Sequence, residues 1–252
     1  MKSLKMMRMR DTIVGLLVFA LIGTGIAMIY RYEQNKGNRE LARRIAEISP
    51  RGGVPETIDG LRQAIAIYET QIERNVREAA QAGVYWKILA VRFADRNMHR
   101  DAIDALERAL YYTANDPTLM FLTAESASVV ASNALEFSVS SASEREHFYR
   151  LSESAYIKAI ELDPGYAKPM LGLGILYTFD LDRPNDAIPH LQRYLELLSS
   201  DVKGMFVLAR AYYMTDRYSE AVELYDRILT RSRDPAVRAE AQNNKEYILG
   251  SM

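Results

Sequence analysis

No cysteine occurs in the 252 residues, which excludes disulfides, thiolate metal sites, cysteine nucleophiles and a lipid-modified N-terminal cysteine. The redox compartment stays open. Neither sign of charge is in excess: 32 Lys plus Arg stand against 33 Asp plus Glu, so no global field draws the chain onto nucleic acid or attracts an anionic substrate. Histidine is scarce as well. His99, His147 and His190 lie far apart, none with another histidine at metal-ligand spacing, so neither a metal nor a cofactor is expected. No phosphate-binding glycine loop is present, because GLGILY from Gly172 follows no strand. Acidic pairs such as Glu144 with Glu146, and Glu220 with Glu223, read as solvated helix faces rather than an acid and base set. There is no catalytic residue to name, and an enzyme is not expected.

The 48% hydrophobic content suits a folded core. One segment does not belong to a soluble domain. Residues 1–11 form a basic tail with Lys2, Lys5, Arg8 and Arg10, and residues 12–30, TIVGLLVFALIGTGIAMIY, carry no charge. At about 1.5 Å per residue this run nearly matches a hydrocarbon core of roughly 30 Å, as a transmembrane signal anchor would. The alternative is a cleaved signal peptide, with Gly25 and Ala27 as small residues of a processing site, although the apolar run continues through Met28 and Ile29. Arg31, Lys36, Arg39, Arg43 and Arg44 follow closely and weaken the charge contrast that sets orientation. A cytoplasmic N-terminus is expected because the tail is short; in a bacterium the remainder is then periplasmic, held to the inner membrane by a single pass.

Residues 31–54 read as a charged stalk closing in SPRGGVP. Beyond it almost no alternating strand pattern occurs, whereas apolar residues recur three and four apart, as in Leu61, Ile65, Tyr68 and Ile72. The folded part is expected to be all-α. Residues 55–82 read as an N-terminal flanking helix or helices, residues 83–235 as an array, and residues 236–252 as a C-terminal capping helix. Within the array ARAYYMTDRYSEAVELYDRIL, from Ala209, repeats AVRFADRNMHRDAIDALERAL, from Ala90. Unit starts near Gly83, Met120, Ala167 and Val202 give a period of 34 residues with three, 13 and one residues inserted. The longest insertion, at about 131–150, has a serine-rich centre, Ser138 to Ser143, and predicts a longer connection or a helix extension. Asp116-Pro117, Asp163-Pro164 and Asp234-Pro235 each offer an N-cap acceptor before a proline at a helix start.

A 34-residue helix-turn-helix period with these residues resembles the tetratricopeptide repeat family. The resemblance rests on Trp86, Leu89, Ala90, Phe93, Ala102 and Ala109 in the first unit and Leu208, Ala209, Tyr212, Ala221 and Tyr225 in the last. Small residues at Ala90, Ala127, Gly174 and Ala209 let the two helices of a unit approach, with Ala159 and Ala187 at repeat-packing positions in the second helices. Phe93, Tyr177 and Tyr212 fill the space beside those contacts. The resemblance implies about four units in a right-handed superhelix, with first helices lining a concave side. Lys168, Thr178, Lys203, Arg210 and Tyr213 fall at family positions facing that groove and suit an extended segment of another protein bearing carboxylates. The lysine and asparagine clamp of some members is not reproduced, because Gly172 and Val207 stand there.

The expected function is therefore a membrane-anchored scaffold or adaptor with a protein or peptide partner and a lipid bilayer at the N-terminal helix. Bacterial members of this layout are associated with envelope assembly, secretion or chaperoning. Rival readings are a secreted adaptor after signal cleavage and an accessory hydrolase domain. A homo-oligomer is the remaining partner reading, through an apolar patch of Tyr111, Tyr112, Met120 and Phe121.

Overall fold

The computed structural model describes Arg39, Ala42, Arg43, residues 57–134 and residues 139–251. The basic tail, the 12–30 span and all but three residues of the 31–54 stalk lie outside the described residues. No described helix is long and apolar enough to cross a membrane. The chain divides into two compact units, Met1–Arg77 and Glu78–Met252.

Helices account for nearly all the described residues: α1 (Ile58–Ala94), α2 (His99–Tyr112), α3 (Pro117–Asn133), α4 (Val139–Leu162), α5 (Ala167–Ile175), a π turn (Leu176–Asp180), α6 (Pro184–Leu197), α7 (Val202–Met214), α8 (Tyr218–Arg231) and α9 (Pro235–Ser251). From the end of α1 onward they pair as α1/α2, α3/α4, α5/α6 and α7/α8, matching the four expected units, with α9 against α8 as the cap. One boundary differs from expectation. The flanking helix expected to end at residue 82 runs without a break into the first unit as a single 37-residue helix. Its middle is rich in helix formers, Glu78 to Ala82, and Gly83 is buried where an added methyl would sit 3.0 Å from Tyr112 Cβ, so this glycine serves packing rather than a turn.

Helix starts follow local chemistry. Asp116 accepts from the backbone N–H of Thr118 at 2.7 Å and Leu119 at 3.3 Å, with Pro117 in the first turn. Asp234 does the same for Ala236 at 2.8 Å. Asp163 does not cap a helix start: it accepts from Gly165 N–H at 2.9 Å inside the α4–α5 connection, and α5 begins only at Ala167. A cap absent from the sequence reading is Asp201, which accepts from Gly204 N–H at 2.6 Å to open α7. The turns inside the first, third and fourth units each hold one residue in the left-handed region: Asn97, Asp182 and Asp216. Asn and Asp tolerate that conformation better than other non-glycine residues.

In the second unit the insertion lengthens both helices, to 17 and 24 residues, where α2, α6, α7 and α8 have 13 or 14. Residues 135–138 of it lie outside the described residues. Ser152, fully buried on α4, donates to the Ala124 carbonyl on α3 at 2.9 Å and ties the long pair together.

The core is built on alanine. Ala102, Ala109, Ala124, Ala127, Ala159, Ala187, Ala209 and Ala221 are fully buried and Ala90 nearly so, each where two helices approach. Gly174 takes this further, since a methyl there would run into Leu191. One apolar cluster runs from Phe121 to Ile248 through the last three units and the cap, and a second joins Trp86, Ala90 and Phe93 to Leu106, Ala109 and Leu119. Leu89, expected at a packing position, is 39% exposed instead.

Candidate functional site

The first helices of successive units touch, α3 against α5 and α5 against α7, and form one continuous face. Lys168 lies in the first turn of α5, Lys203 in the first turn of α7 and Arg210 two turns further along α7. All three are exposed, and none joins an ion pair among the described residues. Lys168 Nζ sits 6.0 Å from the Phe121 ring. Glu125 of α3 stands near Lys168 and Lys203. Desolvation pushes its carboxyl above the usual range, and the two lysines pull it back. Burial, and then the Glu125 charge, push the phenol of Tyr156 well above its ordinary value, and Tyr166 shifts the same way.

At the far end of this face the chain forms a hollow of about 240 Å³. Phe179, Phe206, Tyr213, Tyr225 and Tyr247 provide aromatic walls, and Arg210, Glu240 and Asn244 the polar groups. The Arg210 guanidinium stacks 5.3 Å from the Tyr213 ring, and Tyr213 lies 6.0 Å from Tyr247. A hydrogen bond to Tyr247, ahead of burial, raises the Tyr213 phenol, and burial raises Tyr225 against the opposing effect of Arg210. The arrangement suits an apolar or aromatic group with a carboxylate beside it. Sequence reasoning found Arg210 and Tyr213 but not Phe206 or the α9 wall. The signal was there: Phe206, Arg210 and Tyr213 recur four and three residues apart, one stripe of α7.

Thr178 is a correction. It is 2% exposed and donates to the Gly174 carbonyl at 2.7 Å, so it cannot meet a ligand. Tyr177 and Tyr212 are 35 residues apart, whereas Asp182 and Asp216 are 34 apart, so the third unit holds one extra residue between Tyr177 and Asp182. The π turn absorbs it, with Leu181 N–H donating to the Leu176 carbonyl five residues back at 3.0 Å. That shift turns Thr178 inward and leaves Phe179 at the hollow, 57% exposed. The absent clamp also has a physical reason. Val207 is buried, and the space a side chain at Gly172 would need is filled by the Tyr156 ring.

Other candidates are taken up by structure. Glu144 pairs with Arg100 at 2.7 Å, Glu146 with Arg150 at 2.7 Å and Glu220 with Arg217 at 2.8 Å. Arg217 also stacks on Tyr212 at 4.3 Å, and Arg183 repeats the device one unit earlier, 4.6 Å from Tyr177 and bonded to Asp186 at 2.7 Å. The histidines are not brought together: His99 opens α2, His147 stacks edge-on with Phe148, and His190 of α6 is half-buried, its imidazole held below the usual range by burial. No group of three or more metal-ligating side chains occurs among the described residues. The expected apolar patch is divided as well, because Phe121 is buried against Tyr156 and Tyr166 while Tyr111 is 84% exposed.

The family profile described as tetratricopeptide repeat matches residues 178–242, from within the π turn of the third unit through the fourth and into the cap. This stretch is tetratricopeptide repeat. Solved structures agree on the fold. A thermophilic tetratricopeptide-repeat protein of Thermus thermophilus is 17% identical with a TM-score of 0.53, the match covering 81% of this chain and 97% of that one. YrrB, described as a tetratricopeptide-repeat protein with an unusual peptide-binding site, is 17% identical with a TM-score of 0.56, over 71% of this chain and 82% of its own. No curated protein matches the sequence significantly.

Proposed function

We propose that the chain is a non-catalytic adaptor that holds a segment of another protein along the face of α3, α5 and α7. The tetratricopeptide fold suggests a scaffold for protein interaction. The observation that carries the finer reading is the set of three exposed cations, Lys168, Lys203 and Arg210, without ion-pair partners among the described residues and beside an aromatic hollow. An extended segment with carboxylates for the cations and one aromatic or large apolar side chain for the hollow answers that chemistry. YrrB, with a peptide-binding site on the same fold, supports it.

The test is titration of fluorescent peptides in which the acidic residues and the aromatic residue are removed separately. Acidic aromatic peptides are expected to bind, with loss on Lys203→Glu combined with Arg210→Glu. Equal binding of neutral and acidic peptides by both proteins would refute the reading. The apolar run at 12–30 supports a membrane anchor; the short N-terminal tail favours repeats on the periplasmic side of a bacterial inner membrane, and the resemblance alone suggests a role in envelope assembly, secretion or chaperoning. Because the chain lacks cysteine, Ser251→Cys gives a single label site. An impermeant thiol reagent should reach it once the outer barrier is opened, whereas protection until the inner membrane is lysed would reverse the orientation.

A further inference from the structure

The first part of α1 carries an exposed apolar stripe. Ile58, Leu61, Ile65, Tyr68 and Ile72 are spaced three, four, three and four residues apart, and all are exposed, from 39% at Leu61 to 70% at Ile58. The covered side of this stretch is a different one. Ala64 is buried and Gly60 and Ile67 are half-buried, and at 3.6 residues per turn they lie roughly a quarter turn away.

Strict alternation of three and four is a seven-residue repeat, the period that keeps a seam facing a partner helix in a left-handed supercoil. Ile58, Ile65 and Ile72 occupy one seam position, and Leu61 and Tyr68 the other. A β-branched residue at the first position with leucine at the second favours two parallel strands. Gln63, Thr70 and Arg77 fall on the outer side, and the positions that flank the seam, Arg62, Ala64, Glu69 and Gln71, bring no like charges together across a parallel pair. The stripe stops at Asn75, whose side chain accepts from Gln71 at 3.0 Å.

We propose that residues 58–72 form a parallel two-stranded coiled coil with the same stretch of a second copy of this chain. A seam built this way is its own complement, with each side chain offered the same holes on the partner that it leaves on its own helix. Two heptads are short for a pair formed from dilute solution. The apolar run that ends at Tyr30 compensates, in a step that rests on the membrane-anchor reading: two chains in one bilayer point the same way and meet at the raised effective concentration of tethered partners.

The absence of native cysteine makes the test clean. Single cysteines replace Leu61, Ile65, Tyr68 and Ile72 on the seam, and Gln63, Thr70 and Arg77 off it, in the full chain reconstituted in phosphatidylethanolamine–phosphatidylglycerol vesicles and then oxidised. Disulfide-linked dimers are expected to be several-fold more abundant at all four seam positions than at the three outer ones. Ile65→Lys with Ile72→Lys should abolish the cross-link at Tyr68→Cys while leaving the repeats' thermal unfolding unchanged. Cross-linking at one seam position alone, equal cross-linking everywhere, attachment to other proteins only, or no dimer would each overturn the proposal. Flotation of the chain with the vesicles scores the anchor separately; if it does not float, the same oxidation on concentrated soluble chain decides the pairing.

Discussion

Trp86 and Phe93 stand in the same seven-residue register of α1 as Ile58, Ile65 and Ile72. The first two pack against Ala105, Leu106, Ala109 and Leu119, while the three isoleucines are more than half exposed. Periodicity identified the apolar stripe at Leu61, Ile65, Tyr68 and Ile72 but not what covers it. The covered stretch has a neighbouring helix within its own repeat unit. The other stretch leaves its isoleucines exposed, and its pattern asks for a partner helix.

The contrast is sharpened most by paired truncations. Leu106→Ala, in the covered region, is expected to cost about 2–5 kcal/mol, whereas Ile65→Ala should change the array's stability by no more than about 0.5 kcal/mol. Thermal unfolding in dilute detergent compares them, and equal losses would break the distinction. Next in size is Gly174→Ala, expected to cost about 1–3 kcal/mol by overpacking against Leu191; retention of full stability would mean that the contact between α5 and α6 holds free volume.

Alkaline titration gives a smaller effect. Burial, reinforced by the hydrogen bond to Glu153, pushes the Tyr177 phenol up to about 12, and burial with Asp201 does the same for Tyr194. In the unfolded chain both ionise near 10, so this contribution to stability is present below pH 10 and lost as pH rises towards 12. Denaturant melts should show that decline, and Tyr177→Phe should flatten it. The smallest effect is expected at Leu89→Gln, within about 0.5 kcal/mol; a larger loss would show that the uncovered face ends before residue 89.

The four units, the alanine contacts and the caps at Asp116 and Asp234 were legible because each depends on residues close in sequence or one period apart. The left-handed turn residues Asn97, Asp182 and Asp216 stand at equivalent positions in three units, a signal the sequence reading did not use. Thr178 was misplaced because it was matched to Tyr213, 35 residues on, as if the two first helices were alike, and the π turn changes the register within the third unit alone. Asp163 was misread because Asp-Pro suits a turn as well as a helix start, and Gly165 decides for the turn. The hollow was half legible: α7 displays its stripe, but the wall from Glu240, Asn244 and Tyr247 depends on how α9 docks, which no local motif encodes.

That wall belongs to the last helix of the stack. In linear arrays the end element has a neighbour on one side only and opens first, without unfolding the remainder. Excursions of α9 away from α8 would dismantle the hollow, and anything seated among Phe206, Tyr213 and Tyr247 would hold the end closed. Occupancy would therefore be read out as slower amide hydrogen exchange along α9, which makes the terminal helix both part of the binding surface and its natural reporter.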